Sequence, residues 1–193
     1  MILTGSKTIF AIQKLMENIK IVFELTKFRL SALVSFSAVF GFLLASNEAD
    51  LFKIIILFFS GYLVSASSVI NNQILEKDFD KLMDRTKNRP LPMDKISSKK
   101  SILISIIFML MGLTLMSYFL NIYSAVISFI SLLLYSFIYT PLKRVGPIAV
   151  FVGAIPGAFP PLIGWIASAN YISLEAVIIF SIQFIWQFPH FWA

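Results

Sequence analysis

Asn72, Glu76 and Asp80 are spaced four residues apart within NNQILEKDFDKLMDRTKNRPLP, residues 71–92. On a helix, a step of four turns the side chain by only about 40°. An amide and two carboxylates therefore share one drifting stripe, which Asp84 can extend. This hard-oxygen set suits Mg²⁺, which takes one or two carboxylates, water and the oxygens of a phosphate substrate. Arg85, Lys87 and Arg89 follow directly, and arginine offers a planar fork matched to phosphate. The pattern predicts a metal-bridged diphosphate between acids and bases. A solvated helix end of mixed charge is the alternative.

Three further clusters carry chemistry-bearing residues. YSFIYTPLKR, residues 135–144, ends in Lys143 and Arg144, which can reach the same anion or serve only to orient the chain in a membrane. GAIPGAFPPLIGW, residues 153–165, holds Pro156, Pro160 and Pro161, each of which removes a backbone donor. A helix broken in this way predicts a pocket lining. Close packing through Gly153 and Gly157 is the competing account. FIWQFPHFW, residues 184–192, contains His190, the single histidine of the chain. Its tryptophans also fit an interfacial aromatic belt.

These residues need elements to hold them, and the chain supplies membrane spans. Of 193 residues, 58% are hydrophobic and only 13% charged. A soluble domain carries about 25% charged residues. Stretches free of Asp, Glu, Lys and Arg run over Leu30–Asn47, Ile54–Leu75, Ser101–Leu120 and Ile122–Leu142, within Val145–Leu174, and over Ala176–Ala193. Each approaches the ~17–25 residues a bilayer requires. The fold class expected is therefore all-α, a polytopic membrane bundle of about six spans. Ile9, Ile12, Leu15, Met16, Ile19, Val22 and Phe23 alternate with charges at helical spacing, so residues 1–29 read as an amphipathic surface helix. Residues 30–193 form the membrane domain, with a long polar loop over 76–100.

Fifteen of the 16 basic residues fall in the N-terminal segment and alternate loops. This predicts a cytoplasmic N-terminus and cytoplasmic basic loops in the inner membrane. The net charge of +6 is this asymmetry, and no nucleic-acid partner is expected. With no Cys and one His, thiolate zinc sites and Cys nucleophiles are excluded. The spans lack internal ionisable residues, which argues against an ion-coupled transporter.

The clusters, in this order, resemble the protohaem IX farnesyltransferases of the intramembrane aromatic prenyltransferase superfamily. The matching tracts are LTKFRLSALV (25–34), NQILEKDFDKLMDRTKNRPLP (72–92), YTPLKR (139–144), VGAIPGAFPPLIGW (152–165) and WQFPHFWA (186–193). The resemblance implies that farnesyl diphosphate binds through Mg²⁺ to Asn72, Glu76 and Asp80. Glu76 and Asp80 are the metal carboxylates. It implies ionisation to an allylic cation and capture by a vinyl group of protohaem IX (haem B), which is substrate and not cofactor. Arg85, Arg89, Lys143 and Arg144 are assigned to diphosphate or haem propionates, and His190 to the substrate site. A downstream haem A synthase is an implied partner, and the lipid bilayer the surrounding medium.

Glu76 stands where many members have Asp, which keeps the carboxylate. Members also have about nine spans, which at ~20 residues each this chain cannot supply. The resemblance therefore implies a truncated chain lacking the second Asp-rich motif. A non-catalytic membrane fragment, a quinone-precursor prenyltransferase and a transporter subunit are the alternatives.

Overall fold

The computed structural model describes the backbone of residues 2–192 and the side chains of residues 12–189. The side chains of Ile9, His190 and Trp192 lie outside the described residues. The regular structure of the described residues is all helical: α1 (Ile2–Leu25), α2 (Phe28–Ala45), α3 (Leu51–Leu75), α4 (Lys77–Asp80), α5 (Ser98–Phe119), α6 (Ile122–Leu133), α7 (Thr140–Leu142), α8 (Ile148–Ala169) and α9 (Leu174–Trp192). A π-helical turn, Leu134–Tyr139, joins α6 to α7. Five of these stretches are long and apolar enough to cross a membrane: α2, α3, α5, Ile122–Leu142 and α8. A shorter apolar helical stretch follows at Leu174–Pro189. The protein is an integral membrane protein. Its outward surface is what lipid requires, with Phe36, Phe40, Leu103, Leu110 and Ile185 exposed.

Polar residues mark the helix starts. Asp50 accepts from the Lys53 amide at 3.1 Å, Ser97 from Lys100 at 3.3 Å and Asn121 from Ser124 at 2.8 Å, each satisfying an orphan donor. Small residues then bring backbones together, as apolar solvent demands. Gly41 of α2 faces the Pro161 carbonyl of α8, and Gly164 of α8 faces the Ala38 carbonyl of α2. A Cβ at either glycine would overlap backbone. Gly112 seats α5 on α3, where a Cβ would lie 2.8 Å from Val64.

The expectation for the proline-rich span needs correction. α8 runs unbroken through Pro156, Pro160 and Pro161. One freed carbonyl is satisfied from the neighbouring helix. Pro161 cannot donate to the Gly157 carbonyl, and Gln187 of α9 supplies that hydrogen bond at 3.2 Å.

α1 stands apart from this bundle. Ile12, Leu15, Met16, Ile19 and Phe23 remain exposed along it, as an interfacial helix would leave them.

Candidate active site

Asn71, Asn72 and Gln73 form consecutive steps on the last turns of α3, and each faces a different neighbour. Asn71 Oδ1 accepts from Ser105 of α5 at 2.7 Å. Asn72 Nδ2 donates to Thr140 Oγ1 of α7 at 3.0 Å. Gln73 Nε2 donates to the Leu25 carbonyl at the end of α1, at 2.6 Å. Asn72 and Gln73 are buried.

The helix expected to carry Asn72, Glu76 and Asp80 on one stripe is interrupted at Glu76, although the Glu76 amide still bonds the Asn72 carbonyl at 3.0 Å and the Asp80 amide the Glu76 carbonyl at 2.8 Å. α3 stops at Leu75, and Glu76 turns out of it at φ −97° and ψ 3°. Asp80 sits on the separate turn α4. Its position comes from the loop that follows. Arg89 Nη1 donates to Asp80 Oδ2 at 2.7 Å, and Thr86 Oγ1 donates to the Asp80 carbonyl at 3.0 Å. Leu91 anchors that loop by packing with Leu25 and Ile70. Asp84 does not extend the site, since it is exposed and paired with Lys87 at 2.6 Å.

Glu76 pairs with Lys143 at 3.2 Å. Arg144 donates to the Leu75 carbonyl at 3.3 Å, and its guanidinium lies 3.7 Å from the Phe79 ring centroid. Arg89, Lys143 and Arg144 are thus tied to the end of α3 or to α4. Arg85 is exposed on the loop and makes no hydrogen bond or ion pair among the described residues.

Lys27 is a residue the sequence reading did not single out. It occupies a left-handed turn between α1 and α2, with φ 44° and ψ 59°. Non-glycine residues rarely adopt this conformation. Side chains of α3 clamp the turn: Gln73 on the Leu25 carbonyl and Tyr62, whose hydroxyl donates to Thr26 Oγ1 at 3.0 Å. Burial lowers the Lys27 ammonium to about 8, with Arg89 and Lys143 adding repulsion and Asp80 and Glu76 opposing it.

Below this polar end lies a cavity of about 490 Å³ between α2, α3, α6, α8 and α9. Ligand pockets span about 300–1,000 Å³. Tyr139 lines it and carries Lys143 Nζ 4.9 Å from its ring centroid. The cavity and the charged cluster are therefore continuous through Tyr139, Lys143 and Glu76. The π turn makes this junction. The Thr140 amide bonds the Tyr135 carbonyl five residues back, and Thr140 Oγ1 donates to the same oxygen at 2.8 Å. Gly153 leaves room for the Tyr139 ring, and Gly157 for Gln187. Both glycines also line the cavity, so close packing and pocket lining operate together.

The donor set suits a hard divalent cation in kind: two carboxylates and one amide, all oxygen donors. Among the described residues, no three His, Cys, Asp or Glu side chains gather closely enough to hold a metal. Further oxygens would have to come from water and a phosphate ligand, which is how Mg²⁺ is usually held.

A family model described as UbiA prenyltransferase matches residues 34–193. A protein from Cytophaga hutchinsonii named protoheme IX farnesyltransferase is 47% identical over 89% of this chain and 60% of its own length. One of the same name from Christiangramia forsetii is 46% identical over 88% of the chain and 56% of its own length. The chain thus spans about 60% of the length of these relatives. A solved structure concerned with digeranylgeranylglyceryl phosphate synthase superposes with a TM-score of 0.77 at 28% identity, over 87% of this chain and 59% of that one. A UbiA homologue from Archaeoglobus fulgidus, bound to DMAPP and Mg²⁺, superposes with a TM-score of 0.70 at 18% identity, over 88% of this chain and 62% of that one. With its helical bundle and its sequence agreeing over most of its length, the chain belongs to the UbiA prenyltransferase family.

Proposed function

We propose that the protein carrying this chain transfers a farnesyl group from farnesyl diphosphate to the vinyl group of protohaem IX, forming haem O. The observation that carries this reading is the junction of a charged cluster with an apolar cavity through Tyr139. A prenyl diphosphate has the same two-part character, a polyanionic head on a hydrocarbon tail. The names of the relatives at 46–47% identity support the farnesyl and haem assignments.

In this reading Glu76, Asp80 and Asn72 hold Mg²⁺, which when bound neutralises the diphosphate and stabilises the charge it gains on leaving. Arg89 and Lys143 now hold the two carboxylates. Were Mg²⁺ bound to those carboxylates, Arg89 and Lys143 would be free to contact diphosphate oxygens. Arg144 and the exposed Arg85 lie at the outer edge, placed for acidic groups of either substrate. His190 is assigned to the substrate site by its place in the WQFPHFWA tract. Diphosphate departs, and the apolar walls exclude water until the vinyl carbon has attacked the allylic cation. The carbocation this leaves on the haem side chain is then captured by one water with loss of a proton, giving the hydroxyethylfarnesyl group. The basic loops and the N-terminus face the cytoplasm, in the inner membrane, with α1 (within residues 1–29) on that surface.

The test is conversion of haem B to haem O in membranes holding the protein, with farnesyl diphosphate and Mg²⁺. Glu76→Ala and Asp80→Ala should each abolish product, as should chelation by EDTA. Unchanged turnover in both variants would overturn the site assignment. Prenylation of a quinone precursor in place of haem would overturn the acceptor.

A further inference from the structure

The deep end of the cavity is marked by where each helix stops contributing to its lining. α3 lines the cavity from Val69 to Gly61, α6 contributes as far as Ser128, and α8 lines it from Gly153 to Ile163. From Asn72 to Gly61 the helix rises about 16 Å. That depth compares with the extended length of a C15 isoprenoid whose diphosphate lies at the level of Asn72. Beyond the floor the space is filled by Phe42, Leu57 and Ala125, which form one packed core cluster with Met116 and Ile163.

α5 sends a single residue to the cavity wall, Met116. It is 1% exposed and lies at the far end of α5 from the charged cluster. Its neighbours on the floor, Ala38, Gly61 and Ser128, are small, which leaves Met116 and Ile163 as the bulk that closes it. Methionine is ordinarily an adaptable filler with three rotatable bonds. Here Ser128 Oγ donates to Met116 Sδ at 3.1 Å, between two buried side chains, which fixes where the sulfur sits.

We propose that Met116 is the residue that limits the length of the isoprenoid tail this site accepts. The inference rests on the prenyl-diphosphate reading of the cavity and adds its length selectivity. A tail reaching the floor meets the methionine side chain. A tail one isoprene unit longer must displace it into the core cluster. The discrimination is steric and operates at the opposite end of the cavity from the leaving group.

The experiment measures binding rather than turnover. The non-ionising S-thiolodiphosphates of geraniol, farnesol and geranylgeraniol are titrated with Mg²⁺ into the detergent-solubilised protein. Quenching of tryptophan emission reports occupancy, since Trp186 lines the cavity. Met116→Ala should shift the C20-to-C15 affinity ratio toward C20 by on the order of tenfold. Met116→Phe should shift preference the other way, toward C10 over C15. Opposite shifts in two variants separate length selection from general loss of packing. Retained C15 binding with unchanged ratios in both variants would overturn the inference and leave the prenyl-diphosphate reading standing. Failure of the unsubstituted protein to bind any of the three analogues would overturn that reading and the inference with it.

Discussion

Arg89 and Asp80 form the most buried ion pair at the charged end of the bundle, with Nη1 2.7 Å from Oδ2 and side-chain exposures of 21% and 5%. Removing one partner of such a pair strands a charge in a poorly solvated place. Arg89→Ala should therefore destabilise the fold by about 3–5 kcal/mol. Asp80→Asn should cost less, because it removes the buried charge while keeping an oxygen for Arg89. Thermal unfolding in detergent micelles compares them, and equal losses would contradict the stranded-charge account.

Thr140 holds Asn72 through its hydroxyl and passes the bond on to the Tyr135 carbonyl. Thr140→Val keeps the shape and removes the link. It leaves the buried Asn72 amide without this acceptor, at about 1–3 kcal/mol. The Mg²⁺ concentration needed for half-maximal turnover should also rise. Thr140→Ser should restore both quantities, and a metal titration across the three proteins checks the claim.

Lys27 yields a pH prediction whose sign can be worked out. Its folded-state value of about 8 lies below the ordinary lysine value of 10.5. The ammonium is present below about 8 and lost above it. Affinity for a diphosphate held near Lys27 should fall as pH rises through this region. Over the window from about 8 to 10.5 the unfolded chain binds more protons, so stability attributable to Lys27 should rise with pH. Lys27→Gln should flatten both trends. Inorganic pyrophosphate competition and melting temperatures at pH 7 to 10 measure them.

Gly41 and Gly164 test the seam between α2 and α8. Alanine at either position drives a methyl into a backbone carbonyl of the opposing helix. Each substitution should cost at least about 1–3 kcal/mol, the usual range for overpacking. Gly146, whose added Cβ would meet nothing but whose φ is +145°, should show backbone strain without a packing defect. Differential melting of the three variants separates the two causes.

The spans were readable because lipid excludes charge, so Asp, Glu, Lys and Arg punctuate the chain. The second span, read from Ile54 with a start near Leu51 left open, begins at Leu51, where Asp50 caps the helix ahead of Lys53. The charged cluster was readable in membership, and less so in geometry. Spacing placed Asn72, Glu76 and Asp80 on one helix. It carried no information about Arg89 and Thr86, which draw Asp80 onto a separate turn. Lys27 escaped notice because Thr-Lys-Phe contains neither the glycine nor the asparagine that usually marks a left-handed turn. The π turn left no compositional mark either. Gln187 was findable in principle: a proline at 161 implies an orphan carbonyl at 157, and an amide on the neighbouring helix is a natural partner.

Successive residues on a helix point about 100° apart, and Asn71, Asn72 and Gln73 use that divergence as a three-way joint. One side chain is fastened to α5, the next to α7 and the third to the end of α1. The middle member is also the first of the proposed metal ligands. The proposed metal seat, α5, α7 and the end of α1 are thereby mounted on one turn of backbone. A displacement imposed on α1 reaches the Asn72 position through Gln73 and the single peptide unit that joins the two residues, without crossing the cavity.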